Sequence, residues 1–143
     1  MATEDGIRGL IVEKLGTILI VDDTDIVLDV LVAILKRACF IVLVANSGPT
    51  ALKVATSYTG KIDLLICDVK MPGMSGIDLA ETLELSRQGI RVLLIGGEPM
   101  PDHRWTFIQK PFLPTRLLEM INIVLRAPDQ TQHIRHFSAE SSE

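Results

Sequence analysis

Two adjacent acids, Asp22 and Asp23, follow a short apolar run. A third, Asp68, closes another, and Lys110 stands just after a further one. Carboxylates of this kind can bind a hard divalent cation through oxygen, and one of them can attack as a nucleophile. Three carboxylates gathered in one cleft repel each other and raise one another's pKa values. Mg²⁺ relieves that repulsion while keeping several of its waters. A lysine adds a compact positive charge. Together they make equipment for phosphoryl transfer to a carboxylate: the cations offset charge on the phosphoryl oxygens and one acid attacks in line. Taken singly, each residue has a plainer reading. An Asp after a strand commonly caps a helix or forms a turn, and a lysine is commonly solvated. Asp25 belongs to that plain class, as an acid suited to the start of a helix.

The elements around these residues decide whether they can meet. Thr17–Val21 reads as a continuous apolar strand, Asp25 to about Phe40 as a helix, and Ile41–Val44 as a second strand. A short helix ending near Tyr58 follows, with Pro49 in its first turn. Ile62–Cys67 is the third strand, Ile77 to about Leu85 the third helix, and Arg91–Ile95 the fourth strand. Trp105–Gln109 is the fifth strand and Thr115–Arg126 the last helix. Continuous apolar strands alternating with helices predict an α/β fold: a flavodoxin-like, doubly wound, five-stranded parallel sheet in the order 2-1-3-4-5. In that order the first and third strands are neighbours, and ligands bind outside the carboxyl ends of the strands. The three acids and Lys110 then converge.

One connection is too short. A parallel crossover takes a dozen or more residues with a helix, but ten lie between Ile95 and Thr106, including Pro99 and Pro101. The helix between strands 4 and 5 is therefore expected to be missing or replaced by a loop. Apolar surface left open there predicts an interface with a second copy in a homodimer, with a partner, or with the N-terminal segment, where Ile7, Leu10, Ile11 and Leu15 recur at near-helical spacing.

The chain divides into an N-terminal extension (1–16), one domain (17–126) and a C-terminal tail (127–143), a single domain's worth in 143 residues. Its net charge of −4 and lack of a Lys/Arg run argue against direct nucleic-acid binding. The acidic start has neither the basic end nor the apolar core of a signal peptide, and no stretch approaches a membrane span. A cytoplasmic location follows. Cys39 and Cys67 read as small buried hydrophobes rather than a redox pair. His133 and His136 share a spacing but lack further ligands, His103 has no evident base beside it, and Trp105 reads as core packing.

Three segments, ILIVDDTDIV (18–27), LLICDVKMPGMSGIDL (64–79) and FIQKPF (107–112), resemble the receiver domains of two-component response regulators and hybrid histidine kinases. The resemblance implies a phosphoacceptor at Asp68. It implies Mg²⁺ bound directly by Asp23, with Asp22 partly through water, and by the backbone carbonyl of Lys70. It makes Lys110 the phosphoryl-contacting lysine and Phe107 the switch aromatic. The implied donor is a sensor histidine kinase or histidine phosphotransfer protein, and the implied output is a downstream effector protein. Such a domain is not an enzyme in the usual sense, since it catalyses only its own phosphorylation and dephosphorylation. The chain departs from the pattern at Gly96, where the family carries a Ser or Thr whose hydroxyl drives the switch. Lys70 and Glu98 flank the pocket at positions that tune dephosphorylation in the family. Two alternatives stay open. One is a degenerate receiver that binds partners without phosphorylation. The other is a haloacid-dehalogenase-type phosphotransferase, in which Asp23 would be the nucleophile and Asp25 the acid/base.

Overall fold

Five β-branched or leucine-rich runs pair in parallel into one sheet, ordered β2-β1-β3-β4-β5. A computed structural model describes residues 15–100 and 104–128. The strands are β1 (Thr17–Val21), β2 (Ile41–Ala45), β3 (Leu64–Asp68), β4 (Arg91–Gly96) and β5 (Thr106–Gln109). The helices are α1 (Asp25–Arg37), α2 (Gly48–Ser57), α3 (Gly76–Ser86) and α4 (Pro114–Arg126). This is the flavodoxin-like fold expected of the alternating pattern.

Pleating divides each strand between two cores. Leu19, Val21, Leu65, Cys67, Val92 and Leu94 face α2 and α3. Ile18, Ile20, Leu64, Ile66, Leu93 and Ile95 face α1 and α4. Burial on both faces is why the strands read as unbroken apolar runs. Each such side chain contributes about 1.5–3 kcal/mol on transfer from water.

Local signals set most boundaries. Ser47 and Ser75 cap α2 and α3, their hydroxyls accepting from Thr50 N–H at 3.2 Å and Asp78 N–H at 3.1 Å. Helix α1 stops at Arg37 rather than near Phe40, because Cys39 takes a left-handed φ of 73°. Strand β3 begins at Leu64 rather than Ile62. The Asp63 carboxylate just before it accepts the Thr17 N–H at 2.8 Å, so a side chain takes up a donor at the start of β1. Two arginines satisfy helix ends across the fold. Arg87 donates to the carbonyls of Ala55 in the last turn of α2 and of Tyr58 and Gly60 just beyond it, and Arg91 to those of Val124 and Ala127 at the end of α4.

Between Gly96 and Thr106 none of the described residues is helical. The sheet face there is nevertheless closed: Val92 and Leu94 are fully buried, and Trp105 is only 4% exposed. Trp105 sits in the α2–α3 core, with Met100 and Phe107 partly buried beside it. Its indole N–H donates to Glu84 of α3 at 3.0 Å, and the Arg104 guanidinium lies 4.1 Å from the ring centroid and 2.6 Å from the other Glu84 oxygen. Trp105 thus packs into the α2–α3 core from the start of β5 and is tied there to α3. Of the N-terminal segment offered above as cover, only Leu15 lies among the described residues. His103, His133 and His136 also fall outside them.

Candidate functional site

Where β1 ends, the backbone N–H of Asp22 donates to the carbonyl of Ala45 on β2 at 3.3 Å, which draws Asp22 inward. Asp22 is 1% exposed while Asp23, the next residue, faces solvent. Both carboxylate oxygens of Asp22 are engaged. Oδ1 accepts the N–H of Thr24 at 2.9 Å, and Oδ2 accepts from Lys110 Nζ at 3.3 Å. Asp68 is the last residue of β3, beside β1 in register, with Val21 opposite Cys67. Its Oδ2 also lies 3.3 Å from Lys110 Nζ, and the backbone N–H of Lys70 donates to its carboxylate. Lys110 reaches this point because its own N–H donates to the Gly96 carbonyl at 2.8 Å, holding the end of β5 against β4.

Burial and the neighbouring charges together shift the proton affinities of the site. Burial raises the Asp68 carboxyl above its ordinary value; Lys110 pulls it back and Asp22 pushes it up further. Burial alone would lower the Lys110 ammonium, but the Asp22 and Asp68 carboxylates outweigh it and hold it above its usual value. Glu98 lies below the carboxylate range, through its hydrogen bond and ion pair with Lys70 at 2.8 Å. That pair is exposed at both ends and contributes little to stability.

One oxygen from each of Asp22, Asp23 and Asp68 lies within 4.8 Å of the others. A donor set of carboxylate oxygens alone, with no imidazole or thiolate, fits a hard cation of the Mg²⁺ or Ca²⁺ type. Asp23 offers its carboxylate most openly, since both oxygens of Asp22 already have donors. Asp25 lies in the first turn of α1, outside this group. Cys67 is buried beside the site, its thiol pushed far up by burial, and Cys39 is exposed; both are free.

The structure therefore brings Asp22, Asp23, Asp68 and Lys110 together, with Lys70 beside them and Gly96 and Phe107 at the adjoining β4–β5 seam. Sequence reasoning missed the part played by Gly76. A Cβ there would stand 2.2 Å from the Asp68 carbonyl oxygen, so the first turn of α3 sits directly on the Asp68 backbone. Ser75 caps the same helix, but how closely the chain folds back onto the strand end across the intervening loop leaves no signal in residue type alone.

Comparison with known proteins gives a consistent result. The family described as "Response regulator receiver domain" matches residues 18–122. The chain is 29% identical over 122 residues to the sensor kinase CckA of Brucella abortus, covering 80% of this chain and 13% of that protein. It is 29% identical over 117 residues to the transcriptional regulatory protein CusR of Escherichia coli K12, covering 76% of this chain and 51% of that protein. The chain thus spans about half or less of the length of these relatives. Among solved structures it superposes on the receiver domain of the hybrid histidine kinase CckA with a TM-score of 0.70 and 35% identity, covering 78% of this chain and 100% of that one. It matches the chemotaxis protein CheY4 of Vibrio cholerae with a TM-score of 0.70 and 26% identity, covering 76% and 98%. Among the described residues, no helix is long and apolar enough to cross a membrane.

Proposed function

The chain belongs to the response regulator receiver domains of two-component systems, and on that premise we propose that it takes a phosphoryl group from a phosphohistidine donor onto Asp68. The observation that carries this reading is the Lys110 ammonium, 3.3 Å from both Asp22 and Asp68 within a three-carboxylate cluster. In the transfer, an Asp68 oxygen forms a bond to phosphorus as the bond from phosphorus to the donor's imidazole nitrogen breaks. The electron pair of that bond leaves with the imidazole. Lys110 offsets charge on the phosphoryl oxygens and is itself oriented by Asp22, which the Thr24 N–H fixes in place. The Lys70 N–H steadies the Asp68 carboxylate. Asp23, Asp22, Asp68 and the Lys70 carbonyl would hold Mg²⁺, which when bound supplies the remaining positive charge opposite the phosphoryl oxygens.

In this reading the donor is a sensor histidine kinase or a histidine phosphotransfer protein in the cytoplasm, and a downstream effector protein reads the product. The domain turns over no external substrate; its chemistry is its own phosphorylation and dephosphorylation. A second reading, an interaction module without phosphorylation, is favoured by one observation, the glycine at residue 96. The dehalogenase-type reading is disfavoured because Lys110 bonds Asp22 and Asp68 rather than Asp23.

The test is incubation with Mg²⁺ and acetyl phosphate, followed by borohydride trapping and peptide mass mapping. The expected label is on Asp68 and is abolished by Asp68→Asn. A label on Asp23 would establish the dehalogenase-type reading instead. No label, with a phosphohistidine donor also tried, would leave the interaction module as the function.

A further inference from the structure

The β4–β5 seam holds a contact that the carboxylate chemistry does not use. A Cβ built on Gly96 would stand 3.1 Å from Cε2 and 3.3 Å from Cζ of Phe107, and 3.7 Å from Cγ2 of Val69. The Phe107 ring therefore lies over the α-carbon of Gly96, in space that a side chain would otherwise share. Val69, the neighbour of Asp68, borders the same space. The ring is partly buried against the core that includes Leu94 and Trp105. Backbone contacts hold the seam closed around it: Ile95 lies opposite Ile108, and the Lys110 N–H donates to the Gly96 carbonyl at 2.8 Å.

We propose that Gly96 makes the Phe107 ring a fixed part of the core, so that phosphorylation of Asp68 leaves the ring in place and changes only the pocket mouth. This rests on the reading of Asp68 as phosphoacceptor. Two physical arguments support it. The first is packing. Swinging the ring outward would open a void over a residue that has no side chain to fill it, and would expose aromatic surface. Nothing at residue 96 competes for the ring's place in either state. The second is coupling. A phosphoryl group can shift the ring only if it interacts differently with its two positions. A hydroxyl-bearing side chain at residue 96 could bind the phosphoryl group and vacate the ring's space at the same moment. Glycine offers no such side chain, so the binding event and the ring position are independent.

The consequence is a receiver whose two states differ at the surface around Asp68 and not at the β5 face. An effector that distinguishes them must then contact the mouth itself, where Lys70 and Glu98 form their exposed pair at 2.8 Å.

The test places 4-fluorophenylalanine at residue 107 of the full chain and follows its ¹⁹F resonance in Mg²⁺ before and after acetyl phosphate, with phosphoryl occupancy read by intact mass. The expected result is an unmoved resonance at high occupancy in the wild type, and a resonance that moves with occupancy in Gly96→Thr, with Gly96→Ser as a second variant should the threonine disturb folding. A wild-type resonance that moves in proportion to occupancy overturns the proposal. The mass reading separates this outcome from failure of the phosphoacceptor reading, which shows as no added phosphoryl group. In that event the seat is still tested in unmodified protein. Gly96→Ala is expected to displace the Phe107 resonance, and an unchanged resonance shows that the ring does not rest there.

Discussion

Asp22 and Asp68 share one ammonium, and Asp23 stands within reach of both, so the pocket holds more negative than positive charge. Burial first, and the Asp22 carboxylate after it, raise the Asp68 pKa against the pull of Lys110, and stability can report that shift. A carboxyl whose pKa rises on folding binds more protons folded than unfolded, so stability falls as pH climbs from its ordinary value through its raised one. Asp68→Asn removes that titration. In metal-free buffer the variant is expected to melt above the wild type at neutral pH, by an amount on the order of a few degrees. The gap should close as pH falls toward the ordinary carboxylate range. Mg²⁺ should raise the wild-type midpoint more than that of the variant. A variant that melts lower at pH 7 in the presence of a chelator would show that Asp68 is held mainly by its attraction to Lys110. At this scale the sequence was informative about which residues meet, because acids at the ends of continuous apolar runs have few other places to go. It was silent on how Asp22 and Asp23 divide the work. Their burial differs through the Ala45 carbonyl and the Thr24 N–H, contacts that adjacent identical residues do not announce.

After the short connection between β4 and β5, one side chain ties the start of β5 to α3. Ten residues and two prolines pointed to a connection without a crossover helix, in line with the described residues there, and they also suggested an open sheet face. What they could not supply was the packing of Trp105 against α3, because Glu84 lies 21 residues away and its carboxylate looks like any solvated helix acid. Glu84 is well buried and takes donors from both Trp105 and Arg104. Trp105→Ala is expected to cost about 3–5 kcal/mol, the range for truncating a buried aromatic. Trp105→Phe keeps most of the apolar volume and loses one donor to a charged acceptor, for about 1–3 kcal/mol. Urea unfolding of the two variants separates these values. A near-neutral Trp105→Ala would mean that the face is closed by something other than the indole. Helix ends were similarly half-legible: Ser47 and Ser75 are local caps, whereas Arg87 and Arg91 satisfy carbonyls that only the assembled sheet brings near.

A cation site built from the carboxylates of residues 22, 23 and 68, with Lys110 beside them, would exist only when β1, β3 and β5 are all in place. The unfolded chain keeps Asp22 and Asp23 adjacent but leaves Asp68 and Lys110 tens of positions away, so it has no comparable affinity for a divalent ion. A cation that binds only the folded state stabilises it by RT ln(1 + [L]/Kd), about 2.7 kcal/mol at a hundred times Kd. That stabilisation belongs to the whole molecule, and amide hydrogen exchange can show it. Exchange in the largely buried strands β1, β3 and β4 is expected to require global unfolding, whereas the last turn of α4 is expected to open locally. Adding Mg²⁺ at a hundred times Kd is therefore expected to slow exchange in those three strands by one common factor of roughly 100, while amides near Arg126 and Ala127 keep their rates. Slowing confined to the loops beside Asp23 and Lys70, with the strands unchanged, would mean that the ion orders its own loop without being linked to the fold. The site would then be a local clasp, and metal loading could not serve as a measure of whether the three strands are assembled.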